Sequence, residues 1–358
     1  MQPQLSPTNT TATNTNALQI QAINGLASVQ DLGRFGQRGR GIGINGAMDA
    51  WALRAGNALL GNDNNAAAIE LTLGGMTLTF SQDTVFCLTG ALFEAYLSST
   101  ADDKQRVPNG WRIQARAGDT LTLVRAVQGM HGYLCVQGGI DVTSVLGSAS
   151  TNSKAGFGGY HGRMLQTGDR VPIVAANHNN RNASQPIGIA PFVPIFCQAL
   201  QQIAAEHPDT LLIRVLKNSE FDAFSLTAQQ NFVTTPWKLT SSSNRMGYRL
   251  EGAALTLNAP LQMNSHGVDI GMIQVPPQGQ PIVLMADTQT TGGYPKIASI
   301  IEADIGRFAQ LRFGQACRFV YVDVAQAIAA RAAYERYLKQ IRQYANMPIC
   351  QRLMLKNE

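Results

Sequence analysis

The residue types that could do chemistry fall into two groups. The larger one gathers Arg245, Arg249, Gln274, Asp287, Gln289, Thr290, Gly292, Gly293, Tyr294 and Lys296. The smaller one lies near the start of the chain and holds Gln30, Asp31, Arg34 and Asp49. Arginine beside backbone N–H groups that glycine leaves open suits a carboxylate or a phosphate. An acid at the end of a buried strand has to find a partner, because an unpaired buried charge is costly; Asp287 is therefore the natural centre of the larger group. In the smaller group a plainer reading stands beside the functional one. Asp31 with Arg34, and Asp49 with Arg54, also read as local surface or capping pairs of little energetic weight.

The elements that must hold Asp287 lie in the stretch 264–310. An apolar run, Ile282 to Ala286, stops at Asp287 and passes into the polar turn Thr288 to Gly293. After Pro295, which suits the first position of a helix, Ile297, Ile300, Ile301, Ile305 and Phe308 recur with a helical period and predict a helix. Buried strand, polar loop and helix together make a rigid frame that presents a site.

Several familiar machines are missing from the sequence: GxxxxGK[ST], HExxH and GxSxG do not occur, and the histidines show no metal-ligand spacing, so no metal is expected. There is no Met-Lys-Met site for attached biotin. Gly41 to Gly46 formally matches GxGxxG, and Glu70 lies at about the right distance for a ribose-binding acid. A dinucleotide fingerprint needs a buried strand running into its first glycine. Here Arg34 to Arg40 precede it instead.

With 358 residues the chain predicts two domains. Hydrophobic residues at 45% and charged ones at 14% are globular values, and the net charge of +5 is scattered, unlike a nucleic-acid-binding face. The five cysteines are widely spaced and read as core thiols in a reducing compartment. No apolar stretch approaches the ~20 residues that span a bilayer. Residues 1–16 read as a disordered tail and not a signal peptide, so a cytoplasmic protein is expected.

Short strands are expected at 69–80, 84–88, 92–97, 111–115, 120–126 and 133–136, at the spacing of a barrel or sandwich. A helix is expected at 48–60, capped by Gly61. The Gly- and Ser-rich stretch 145–168 reads as a functional lid or a disordered loop. The composition of 176–190 reads as a linker. These signals divide the chain into a tail (1–16), a first β domain (17–175), the linker (176–190), a second β domain (191–322) and a C-terminal amphipathic helix (323–346) with Val324, Ile328, Tyr334, Leu338 and Ile341 on one face. Gly314-Gln315 leads into a strand much as Gly118-Asp119 does, which hints at related halves.

Three ordered motifs carry a resemblance: SVQDLGRFGQRGRGIGINGAMDAWALRAGNALLGN, then SNRMGYRLEG, then GMIQVPPQGQPIVLMADTQTTGGYPKIASIIEADIGRFAQ. They resemble the family of 5-oxoprolinase C subunits, also called allophanate hydrolase subunit 2 or KipA-like proteins. The resemblance accounts for the glycines at 41–46 as part of that family's own block. It implies a mainly β fold of two cyclophilin-like β-barrel domains and a hetero-oligomer with the A and B (KipI-like) subunits. It also implies ATP-dependent opening of a small lactam, 5-oxo-L-proline, to L-glutamate, with ATP bound somewhere in the complex. Related chains act as the carboxyltransferase component of a biotin-dependent urea carboxylase, or as regulators of a KipI-like partner, and these are the rival readings.

Lactam opening of this kind needs cations and oriented donors for developing oxyanions, an acid or base and enclosure from water. The expected roles are anion stabilisation by Arg245, Arg249 and Lys296, proton transfer or orientation by Asp287, and positioning by Gln274, Gln289 and Tyr294. Two departures bear on substrate choice. Ala149 stands where the resemblance leads one to expect arginine, and His266 where it often shows glutamate.

Overall fold

The structure, a computed structural model, describes residues 16–100, 103–175 and 186–347. The expected tail, all but Asn16, and residues 176–185 of the expected linker lie outside the described residues.

Alternating burial begins at once. Strand β1 (Ala17–Ile23) and β2 (Leu26–Gln30) precede helix α1 (Ala50–Leu60). The helix starts two residues later than expected, because Asp49 caps it by accepting a hydrogen bond from Ala52 N at 3.0 Å. Gly61 ends it in the left-handed region, as the sequence leads one to expect. Then follow β3 (Ala68–Thr72), β4 (Met76–Phe80), β5 (Thr84–Ser98), β6 (Lys104–Arg106), β7 (Trp111–Ala115), β8 (Thr120–Val136), β9 (Arg170–Pro172) and β10 (Ile187–Gly188). These strands form one ten-stranded sheet along the path β10-β7-β5-β8-β4-β1-β9, with β2, β3 and β6 paired off that path. The side chains turned inward form its core, with Leu18, Phe80, Phe86 and Leu121 fully buried; each contributes on the order of 1.5–3 kcal/mol on burial.

The sequence punctuation misleads at three places. The expected strand 69–80 is two strands, because Gly74 and Gly75 take φ of 94° and 103° and the Phe93 ring occupies the space where a Cβ on Gly74 would sit. Conversely, 84–88 and 92–97 are one strand, β5, and 120–126 and 133–136 are one strand, β8. Gly90 marks a shift of register between these two long partners. A bulge absorbs the glycine, and the ladder continues past it.

The second half opens with helix α2 (Gln198–Glu206), which the sequence reading missed, then β11 (Thr210–Lys217), α3 (Leu226–Thr234), β12 (Trp237–Leu239), β13 (Gly247–Glu251), β14 (His266–Gly267), β15 (Met272–Gln274), β16 (Ile282–Leu284), β17 (Thr291–Gly292), β18 (Lys296–Ile300), α4 (Glu302–Ala309), β19 (Ala316–Tyr321) and α5 (Val324–Asn346). Strands β11-β18-β15-β16-β13-β12-β19 close into a barrel, β11 lying parallel to β19. The chain is thus mainly β, with a closed barrel in the second half.

The helix expected directly after Pro295 is a correction. Residues 296–300 form β18, paired on one side with β11 and on the other with β15, and helix α4 starts only at Glu302. Ile297 and Ile300 fit a helical period, but β-branched residues favour a strand. Here two neighbouring ladders supply the backbone partners.

Helix α5 buries Ala330, Tyr334, Leu338, Ile341 and Ala345. Its first turns overhang, leaving Val324 and Ile328 exposed, so the apolar face is displaced from the one read off the sequence. The helix packs back on α1. Trp51 and Tyr334 stack at 4.5 Å, and Arg54 holds Glu335 with bonds of 3.0 and 2.8 Å. Among the described residues no helix is long and apolar enough to cross a membrane.

Candidate active site

A cleft of about 1120 Å³ opens between the ten-stranded sheet and the barrel. Leu26, Ile42, Asn152 and Phe157 line it from the first half, Asn244 and Gln289 from the second.

Its floor is built by strand register. Antiparallel pairing of β3 with β8 sets Glu70 opposite Tyr133 and Thr72 opposite His131, so four polar side chains emerge from two adjacent strands. Glu70 is 2% exposed. It accepts from the Tyr133 hydroxyl at 2.7 Å and from Met48 N at 2.8 Å. From the barrel comes Arg245, carried on the Asn244–Met246 turn that backbone bonds between Asn244 and Gly247 close at 3.2 and 3.1 Å. Its guanidinium bonds Glu70, the carbonyl of Gly46 at 2.6 Å, and both oxygens of Asp287 at 2.9 and 3.1 Å.

Asp287 is fixed twice more. Its backbone N donates to Arg245 O at 2.8 Å, and its carboxylate accepts from Asn45 Nδ2 at 2.9 Å. Asn45 sits at φ 57°, a conformation that asparagine tolerates. Its Oδ1 receives Asn152 and Arg34 at 3.2 and 3.3 Å. Burial works against the Arg245 charge, but Glu70 and Asp287 outweigh it and push its pKa up.

Beside this chain of charges His131 is held neutral. Burial pulls its pKa down to about 4, Glu70 opposing and Arg245 adding to the shift. Tyr248 donates its hydroxyl to Ala309 O at 3.0 Å, which assigns the ring proton to Nε2, 2.8 Å from the Tyr248 oxygen, and leaves Nδ1 to accept from Thr72 at 3.1 Å.

The structure splits the larger group of expected site residues. Arg245, Asp287, Gln289 and Thr290 meet at the cleft. Arg249 is exposed on the outer face of β13 and does not line it. Lys296 and Gln274 are register partners in the barrel, both buried, and neither reaches the cleft. Lys296 pairs with Glu220 at 2.7 Å and bonds the Nε2 of His266, whose Nδ1 lies 3.1 Å from Asn264 O. An imidazole thus stands where the resemblance often shows a carboxylate, and Glu220 supplies the negative charge beside Lys296. Gly292 backs onto the Gln274 amide, Gly293 lies near Ser265, and Tyr294 is half exposed.

The smaller group is structural in its contacts. Asp31 accepts from Ser148 Oγ and Ala149 N at 2.6 Å, Ser150 Oγ at 2.5 Å and Gly33 N at 2.8 Å. Arg34 is fully buried, bonds Val145 O at 3.1 Å and Ser150 O, and lies 4.8 Å over the Phe157 ring. These two residues tie down the start of the 145–168 stretch, read from the sequence as a functional lid or a disordered loop, and its residues Asn152 to Ala155 and Phe157 line the cleft. Gln30 donates to Ser28 at 2.9 Å. Asp49 caps α1 and accepts from Gln310 at 2.9 Å, and burial pushes its carboxyl pKa up. The alternative pairings fail: Arg54 goes to Glu335, and Asp31 and Arg34 each bond elsewhere.

Sequence reasoning missed Glu70 as a site residue, along with Asn45, His131, Tyr133 and Tyr248. The available signal was a glutamate inside the apolar run AIELT, which a strand buries only with a partner. Among the described residues no group of three or more His, Cys, Asp or Glu could hold a metal ion.

The family model for the carboxyltransferase domain, subdomain A and B, matches residues 40–321. The 5-oxoprolinase C subunit of Haemophilus influenzae is 47% identical, over 91% of this chain and 97% of its own length. That of Escherichia coli is 45% identical, over 90% and 97%. The chain belongs to the 5-oxoprolinase C-subunit family. The K. lactis urea amidolyase structure superposes on it with a TM-score of 0.78 at 25% identity, over 93% of this chain and 20% of that one. In this member of the C-subunit family the cleft lies where the two halves meet, and every strong charge on its floor already has an opposite partner. Such a floor offers shape, dipoles and a neutral imidazole. A base at Asp287 would first have to give up Arg245 or Asn45.

Proposed function

We propose that the chain is the C subunit of an ATP-dependent 5-oxoprolinase that opens 5-oxo-L-proline to L-glutamate together with the A and B subunits. The observation that carries this reading is the similarity to two proteins named as 5-oxoprolinase C subunits, over 97% of their length.

The cleft residues do not fit a nucleoside triphosphate. A triphosphate needs uncommitted cations or a nest of N–H groups, and Arg245 is held between Glu70 and Asp287 while Lys296 lies outside the cleft. Lys154 at the rim is the cation that remains among the described cleft residues. We therefore place ATP on another subunit. The part left to this chain is to seat the lactam and exclude water. Gln289, exposed at the cleft, is the side chain we assign to the amide. Asp287 acts by orienting Arg245 and Asn45, which makes it a positioning residue. The test is to assay glutamate release from 5-oxo-L-proline and ATP by the chain alone and combined with its A and B partners. Activity in the full complex is expected, and an inactive complex of folded subunits would sink the reading.

A second reading, biotin-dependent carboxyl transfer, is favoured by the match to urea amidolyase and by a cleft of about 1120 Å³, far larger than a lactam needs. A product requiring bicarbonate and a biotinylated carrier would select it.

A further inference from the structure

One wall of the cleft and the acid on its floor meet at a single side chain, Asn45. The wall is the closed turn 152–157, whose tip from Ser153 to Gly156 is exposed and whose residues 152–155 and 157 line the cleft. Its own bonds close it. Asn152 N donates to Phe157 O at 2.9 Å, Gly156 N to Asn152 O at 2.9 Å, and Ala155 N to Asn152 Oδ1 at 3.0 Å. Outside the turn, Phe157 lies under the Arg34 guanidinium at 4.8 Å and Asn152 Nδ2 donates to Asn45 Oδ1 at 3.2 Å.

The Asn45 amide is used on both faces. Its Oδ1 accepts from Asn152 and also from Arg34 Nη1 at 3.3 Å, while its Nδ2 donates to Asp287 Oδ1 at 2.9 Å. The orientation is forced, since a guanidinium only donates and a carboxylate only accepts. Asn152 is oriented with the same certainty, because its Oδ1 takes the Ala155 N–H. Asn45 also sits at φ 57°. Among the described residues two of the four non-glycine residues with positive φ, Asn45 and Leu73, line the cleft. Strained backbone gathers at functional sites. Asparagine both tolerates this conformation and carries a donor beside an acceptor.

We propose that Asn45 is a positioning residue whose amide joins the 152–157 turn to Asp287, so that the wall of the cleft and the carboxylate on its floor are set as one unit. The acceptor face holds the wall and the donor face holds the acid. The two faces are separable by substitution. Asn45→Gly leaves the left-handed backbone unstrained and removes both. Asn45→Asp keeps an acceptor for Asn152 and Arg34 but sets a second carboxylate against Asp287.

The turnover arm of the test rests on the proposed 5-oxoprolinase reading; the other arm does not. Limited trypsin cleavage after Lys154 reads how firmly the turn is held, because a protease cuts a segment through its local opening. Cleavage after Arg163, which holds Asp169 with two bonds of 2.8 Å, is the internal reference. In Asn45→Gly, cleavage after Lys154 rises about tenfold or more, the scale of losing the bonds that Oδ1 accepts; in Asn45→Asp it stays at the wild-type rate. In the complex with the A and B subunits, kcat for glutamate release falls about tenfold or more in both variants, and KM rises only in Asn45→Gly, where the wall is loosened. Should Asn45→Gly fail to fold, Asn152→Ala, which removes the same bond from the turn's side, replaces it in the cleavage arm. Wild-type cleavage in Asn45→Gly, raised cleavage in Asn45→Asp, normal kcat in Asn45→Asp, or the same KM in both variants overturns the proposal. An inactive wild-type complex would sink the 5-oxoprolinase reading instead, and the cleavage pattern then decides the role of Asn45 alone.

Discussion

Glu70 and Arg245, 175 residues apart in the chain, form an ion pair that fastens a strand of the ten-stranded sheet to a turn of the barrel. Removing one partner of a buried pair leaves the other uncompensated and typically costs about 3–5 kcal/mol. Glu70→Ala is expected to lose stability on that scale and Glu70→Gln less, because the amide still bonds Tyr133. Urea unfolding midpoints check it, and a loss below ~1 kcal/mol in Glu70→Ala would mean that the pair does not join the halves.

The neutral His131 makes stability depend on pH. Its folded pKa is depressed to about 4, against roughly 6.5 in the unfolded chain, so between those values the unfolded state binds the extra proton. Stability present above pH ~6.5 is then lost as pH falls toward ~4, up to about 3 kcal/mol for the shift. Asp49 has the opposite sign, since its raised folded pKa makes the folded state take up a proton first. Comparing chemical denaturation of the wild type and His131→Gln from pH 7 to pH 4 isolates the histidine. A His131→Gln profile as steep as the wild type would refute the assignment.

Gly158 and Gly156 both sit at φ 71°, but a Cβ on Gly158 would strike Arg34 and the Ser150 carbonyl, whereas Gly156 has nothing within 4 Å. Gly156→Ala should cost about 1–2 kcal/mol of backbone strain. Gly158→Ala should cost about 1–3 kcal/mol more through overpacking. Equal thermal midpoints for the two variants would show that Arg34 has room to move.

Asp287→Asn tests positioning against mere scaffolding. The variant should assemble with its partners as the wild type does and release glutamate about 10²-fold more slowly, the scale of a slightly misplaced site. Sizing chromatography and the coupled assay read the two quantities separately. Normal turnover with normal assembly would remove Asp287 from the site and favour a purely regulatory role.

Much of the fold was legible in particular residues. The Gly61 stop, the strand at 111–115 and the Gly314-Gln315 entry into β19 follow from local turn and capping chemistry. What was illegible depended on distant partners. Ile297 and Ile300 serve a helix as well as a strand, and only pairing with β11 and β15 decides between them. Asp287 was found because it interrupts an apolar run at a turn. Glu70 interrupts one too, yet its meaning waits on Tyr133 across the ladder and Arg245 from the other half. Arg249 and Lys296 show the limit most plainly: sequence proximity grouped them with Asp287, and the barrel pointed one to solvent and buried the other against Glu220.

The run of bonds from Asp287 through Arg245, Glu70 and Tyr133 to Asp49 N leaves no strong charge on the cleft floor free to respond to a substrate. A chain furnished this way behaves as a mould and not as an engine. On the proposed 5-oxoprolinase reading it would fix where a small polar molecule lies, and whatever charge must move during turnover would be carried in by another subunit.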